Sequence, residues 1–124
     1  MIRGIRGATT VAQNNEAEML DHTQQLIEEM VHANQVEPSD IASVFISLTA
    51  DLNATFPAKA LRNIGREWTY VPVMCMKEIE VPNSLEKCIR VMMTVNTEHS
   101  QQAIHHVYHY EAKKLRPDLI DTEK

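Results

Sequence analysis

The chain opens on a segment, Ile2 to Val11, that mixes Ile, Val and Thr with Gly4 and Gly7. β-Branched residues favour a strand, and interior glycines bend it or let another backbone approach closely. Asn15 then precedes Glu18 by three residues, the spacing of a capping box, and Leu20, Thr23, Ile27, Met30 and Val31 recur at helical intervals. This predicts a helix of about five turns that stops near Asn34, ahead of Pro38. Its other face carries Glu16, Gln24, Gln25, Glu28 and Glu29, the composition of a solvated surface.

Ile41 to Thr49 is apolar on both parities, as in a central strand covered on both sides. Pro57 followed by AKALRNIG predicts a short helix, proline in its first turn and glycine past its end, with Lys59 and Arg62 on one face. Trp68 to Met76 reads as a strand entered through Pro72. Lys87 to Asn96 is the most regular strand, with Ile89, Val91, Met93 and Val95 on one parity and Arg90, Met92 and Thr94 on the other. After Ser100, AIHHVYHYEA fits a helix or a strand, a short strand being preferred. LRPDL then turns the chain into a polar tail from about residue 117. The order βαβαβββ, without strict alternation, predicts an α+β fold: a mixed or antiparallel sheet with helices on one face.

Composition narrows the classes. With 124 residues, three glycines and five prolines, residues 1–124 are expected to form a single domain without a flexible linker. A net charge of −5 works against nucleic acid and anionic membranes as partners. No apolar run approaches the roughly 18 residues of a membrane span, and MIRGIRGATT lacks the apolar core of a secretory leader, so the cytoplasm is the expected location.

The chemistry-bearing residues are few. Cys75 and Cys88 lack the CxxC spacing of a metal knuckle or redox pair, and Cys75 reads as a buried thiol, with a nucleophile as the alternative. His105, His106 and His109 would chelate one metal only on a helix; on a strand they are too far apart, so no metal is expected. No glycine cluster precedes a helix to cradle a phosphate. Arg6 and Arg90 stand apart, because each sits within a predicted strand, where a guanidinium held rigidly recognises a carboxylate in two-pronged fashion. The alternative for either is an internal salt bridge.

The words IRGIRGATTV, FPAKALR, YVPVMCMKEIEV, KCIRVMMTVNT, HVY and LRPDL, in this order and spacing, resemble the monofunctional AroH-class chorismate mutases from Ile2 to about Leu119. The resemblance implies a homotrimer, a pseudo α/β-barrel with the three sheets inside, helices outside and three active sites in clefts between neighbours. It implies rearrangement of chorismate to prephenate, toward phenylalanine and tyrosine, with no covalent intermediate and no metal or organic cofactor. Carried onto this chain, the substrate arginines fall on Arg6 and Arg90, the hydroxyl-binding acid on Glu78 and the carboxylate-binding tyrosine on Tyr108. Met74 to Glu78 lines the same pocket, with Cys75 near the substrate hydroxyl; Val73, Met74, Cys75, Met76 and Lys77 are its binding candidates. The adjacent subunit brings Phe56, Lys59 and Arg62, while Leu115 and Arg116 belong to a tail approaching the pocket mouth. Three features depart from the family pattern: Met74 where a small polar residue is usual, one extra residue within Asn63 to Glu67, and the histidine-rich HHVYHYEA. Two rival readings are a RidA-like trimeric imine deaminase and a non-catalytic trimeric metabolite sensor.

Overall fold

The computed structural model describes residues 1–115. The turn at LRPDL beyond Leu115, Arg116 and the expected polar tail lie outside them. The elements are β1 (Ile2–Thr10), α1 (Glu16–Asn34), β2 (Ile41–Leu48), α2 (Lys59–Ile64), β3 (Val73–Lys77), β4 (Cys88–Asn96) and β5 (Val107–Tyr108). Short 3₁₀ turns at Pro38–Asp40, Arg66–Trp68, Gln101–Ala103 and Tyr110–Lys114 connect them.

Asn15 caps α1 as its spacing suggests: its backbone is extended and its side chain accepts the Glu18 N–H at 3.0 Å. The reciprocal half of the box is different. Glu18 reaches past Asn15 to accept the N–H groups of Ala12 and Gln13 at 2.8 and 2.9 Å, and the Ala12 amide foremost holds its carboxyl below the usual range. One carboxylate thus ties the β1–α1 connection to the helix start. The buried stripe of α1 is Met19, Thr23, Leu26, Ile27, Met30 and Asn34. Leu20 and Val31, expected on that stripe, are only half-buried. The true stripe is rotated by about one position, which apolar periodicity alone does not resolve on a helix with apolar neighbours either side of the seam.

The five strands form one mixed sheet in the order β3-β2-β4-β1-β5. β4 lies antiparallel between β2 and β1, while β3 and β5 add parallel edges. β3 begins only at Val73. Trp68 to Pro72 is not strand: Trp68 sits in a turn, the Trp68 N–H reaching the Gly65 carbonyl and the Val71 N–H reaching Trp68, and its buried ring fills the core. Trp68 and Val71 are buried from this turn while Thr69 and Tyr70 are exposed, so the aromatic and β-branched composition there does not mark an extended backbone.

Alternation divides the sheet. Ile5, Val44, Ile46, Ile89, Val91, Met93 and Val95 are buried with Met19, Leu26, Ile27 and Met30 of α1 and Leu61 of α2. Helix and sheet come so close that a Cβ on Gly7 would collide with the Met30 sulfur and press on Leu26. The other face is open: Phe45, Met74, Met76 and Met92 are 41%, 60%, 41% and 40% exposed. The expectation that β2 is covered on both sides is therefore corrected for the single chain, since α1 and α2 both serve one face.

Candidate active site

Strand register gathers the polar residues of the open face. Ser47 and Ala8 flank Arg90 on the neighbouring strands, Met92 lies beside both Phe45 and Arg6, and Tyr108 lies beside Ala8. Because side chains alternate along a strand, Arg90, Ser47, Ala8, Arg6 and Tyr108 all project to this face. β3 brings Met76 next to Ser47, and the chain just beyond holds Glu78 through its N–H to the Leu48 carbonyl, 2.9 Å. Arg6, Ser47, Met76, Glu78, Arg90, Tyr108 and Leu115, with Phe45 and Met92, line a cavity of about 530 Å³.

The charged centre of that cavity is compact. Arg90 Nε lies 3.3 Å from Glu78 Oε2, and the Ser47 hydroxyl donates to the same oxygen at 2.8 Å. With the Arg90 and Glu78 side chains 47% and 24% exposed, the pair adds little to stability. Its consequence is orientation, because a guanidinium and a carboxylate held in one geometry need no rearrangement when a ligand arrives. Cys88, on the same parity as Arg90, is buried beside it; burial pushes the thiol up, and the Arg90 guanidinium offsets this only in part. The Tyr108 hydroxyl is buried without a hydrogen-bond partner among the described residues, although the cavity it lines also holds Arg6, Glu78 and Arg90. An unmatched hydroxyl of this kind is costly to keep and is satisfied by a ligand that accepts from it. The Arg6 N–H donates to His106 Nδ1 at 2.9 Å, and its guanidinium forms no ion pair among the described residues.

The remaining candidates gather elsewhere. Phe56, Lys59, Arg62, Val73, Met74 and Cys75 line a cleft of about 900 Å³ between α2 and the β3 edge, which shares no lining residue with the first. Phe56, Lys59, Cys75, Met76 and Lys77 also line an adjoining cleft of about 650 Å³, so Met76 is the hinge between regions. Lys59 meets Glu16 of α1 at 3.3 Å, and Lys77 meets Glu80 at 3.7 Å, both exposed. The Cys75 sulfur accepts from the Ala58 amide, and burial pushes its thiol up, which leaves little nucleophilic thiolate at neutral pH. Within one chain, therefore, Arg6, Met76, Glu78, Arg90, Tyr108 and Leu115 come together, and Phe56, Lys59, Arg62, Val73, Met74, Cys75 and Lys77 do not join them.

Ser47 escaped the sequence reading. It is one of three hydroxyl residues in the run IASVFISLT, with Ser43 and Thr49, and the pairing that aims it at Glu78 is non-local. The histidines diverge: His106 meets the Arg6 backbone, the His105 backbone meets Asn34, and His109 meets Glu29. No three His, Cys, Asp or Glu side chains among the described residues are grouped to hold a metal.

Known proteins share this pattern across nearly the whole chain. The family described as chorismate mutase type I matches residues 2–119. The chain is 52% identical over 123 residues to chorismate mutase AroH of Bacillus subtilis, covering 99% of this chain and 96% of that protein. It is 41% identical over 124 residues to chorismate mutase AroH of Thermus thermophilus, covering 99% and 100%. A solved chorismate mutase from Clostridium thermocellum superposes with a TM-score of 0.87 at 52% identity, over 90% of this chain and 97% of that one. These likenesses favour the mutase reading over the imine deaminase and the sensor. By sequence and by fold, the chain belongs to the type I, AroH-class, chorismate mutase family.

Proposed function

We propose that this chain converts chorismate to prephenate, an isomerase reaction on the route to phenylalanine and tyrosine, as a cytoplasmic homotrimer with active sites between subunits. The observation that carries the reading is the Arg90, Glu78 and Ser47 group sharing one cavity with Arg6 and the unpartnered Tyr108 hydroxyl. Chorismate is a flexible dianion that reacts only when its enolpyruvyl arm folds over the ring. Arg6 and Tyr108 would hold a carboxylate and Glu78 the ring hydroxyl, selecting that conformer; such orientation supplies up to about 7–11 kcal/mol in favourable cases. The ether oxygen gains negative charge as its C–O bond breaks and a C–C bond forms. Glu78 engages Arg90 through Nε, which leaves the terminal guanidinium N–H groups to face that oxygen. A preorganised cation there stabilises the transition state more than the substrate. No proton moves and no metal is needed.

Two features support the shared site. Phe45, Met74, Met76 and Met92 make an exposed apolar area on the face that also bears the cavity, as expected of a surface covered by another copy. Lys59 and Arg62, with Phe56, are separated from the Arg90 cavity within the chain, and would supply cations and an aromatic wall to a neighbour's cavity. Val73, Met74, Cys75 and Lys77 would line the seam, with Cys75 packing and not attacking.

The test is to add chorismate and follow the loss of its ultraviolet absorbance; a folded chain without turnover sinks the reading. Mixing Arg90→Ala with Arg62→Ala protomers should then recover activity, because hybrid trimers regain some intact sites. No recovery in confirmed hybrids would mean that each site lies within one chain.

A further inference from the structure

The segment that carries Tyr108 leaves the sheet almost at once. β5 is two residues long and pairs only with β1, Val107 beside Gly7 and Tyr108 beside Ala8. One more bond, from the His109 N–H to the Ala8 carbonyl at 2.9 Å, ends the ladder. The chain then runs out as the turn Tyr110–Lys114 and returns at Leu115, which lines the same cavity as Tyr108. Residues 108–115 form an arch with both feet at the cavity, and Ala112 is buried beneath it against Ala8 and Tyr108.

A two-residue strand is too short to hold such an arch by itself. The rest of the support comes from α1, where His22, Gln25 and Glu29 stand three and four apart on one stripe. The Tyr110 ring stacks on the His22 imidazole, centroids 4.3 Å apart and planes within 6°. The Tyr110 hydroxyl donates to Gln25 Oε1 at 3.3 Å, and His109 Nε2 donates to Glu29 Oε1 at 3.0 Å. His22 is itself moored to the sheet. Its Nδ1 lies 2.8 Å from the Thr10 carbonyl, which can only accept, so this nitrogen carries the proton. Glu111 adds a backbone bond to the Thr10 hydroxyl at 3.2 Å. Tyr110 has a φ of 52°, a left-handed conformation that bulky residues avoid and that persists only where the surroundings over-determine it. Here that conformation accompanies the stack of the ring on His22.

We propose that His22, Glu29, His109 and Tyr110 are positioning residues: a clasp between α1 and the arch that sets where the Tyr108 hydroxyl and the Leu115 side chain stand in the cavity. The kinetic consequence rests on the chorismate mutase reading; the clasp does not. Tyr108 holds a substrate carboxylate in ground state and transition state alike, whereas Arg90 answers charge that develops only in the transition state. Loosening the clasp therefore raises KM and spares kcat.

The experiment compares the unaltered chain with Tyr110→Ala, Tyr110→Phe and His22→Ala in two measurements. In hydrogen exchange, the His109 and Ala112 amides should exchange faster in both alanine variants and stay near native in Tyr110→Phe, which keeps the stacked ring. In chorismate turnover, each alanine variant should raise KM about tenfold with kcat within about twofold, and Tyr110→Phe should restore KM. Placed in a Tyr108→Phe background, Tyr110→Ala should raise KM by clearly less than in the native background, because the hydroxyl is no longer there to misplace and only the Leu115 side chain is. Unchanged exchange in both alanine variants overturns the clasp. A KM rise of equal size with and without the Tyr108 hydroxyl overturns its action through that residue. An unaltered chain that does not turn over chorismate would mark failure of the functional reading instead, and the exchange result would still decide the clasp.

Discussion

The two faces of β4 run along the same nine residues and behave as different materials. Ile89, Val91, Met93 and Val95 are buried under α1, while Arg90 and Met92 on the alternate positions face the open side. On the first face most neighbours are apolar, with Thr9 buried beside Ile89, so the interaction is mainly packing and any change of volume is felt. On the second, Arg90 meets Glu78 and its neighbour Ser47, and the cavity begins. A strand separates stability from chemistry at single-residue spacing because successive side chains point to opposite sides. Substitutions two residues apart remain on one face, and substitutions one apart change the question being asked.

The contrast can be broken from either side. Met93→Ala removes a fully buried side chain, and should cost about 2–5 kcal/mol of stability while the folded fraction keeps its kcat. Denaturant unfolding at fixed protomer concentration measures it, and a native midpoint would mean that the helical layer relaxes to fill the gap. Arg90→citrulline is the converse: stability within about 0.5 kcal/mol, but kcat and kcat/KM both lower by about 100- to 1,000-fold, or about 2.7–4 kcal/mol. Near-native kcat in a folded citrulline variant would remove Arg90 from the transition state. Gly7→Ala sharpens the comparison, since its Cβ would push on Met30 and Leu26. Overpacking of this sort costs about 1–3 kcal/mol, visible in the same unfolding curve. The smallest effect is expected at Cys75. Cys75→Ser should stay within about tenfold of native kcat, since a rearrangement has no covalent step. Because burial raises this thiol, alkylation at neutral pH should be slow and should accelerate as pH rises; fast alkylation at neutral pH would contradict that burial.

Legibility followed locality. Asn15 has the spacing of a cap, and the structure makes it one through a neighbour three residues away. The alternation of β4 is plain because four apolar residues, Ile89, Val91, Met93 and Val95, recur at every second position without interruption. Trp68 misled because ring and backbone serve different purposes there, and β2 misled because an apolar face open in one chain reads the same as one covered within it. Arg90 stood out as a lone charge in an apolar strand. Ser47 did not, since nothing near it in the chain says which residue faces it.

What this sequence determined by itself was the set of elements, their order, the inward parity of β4 and the words shared with its family, all properties of short windows or of direct likeness. Tertiary structure alone decided that Ser47, Glu78 and Arg90 share one oxygen and that His22 meets Tyr110 across 88 residues of chain. It also decided that Lys59 and Arg62 stand apart from Arg90. Those outcomes depend on register and on the crossing of a helix over a sheet, which are set by the packing of the whole core and not by any segment of it.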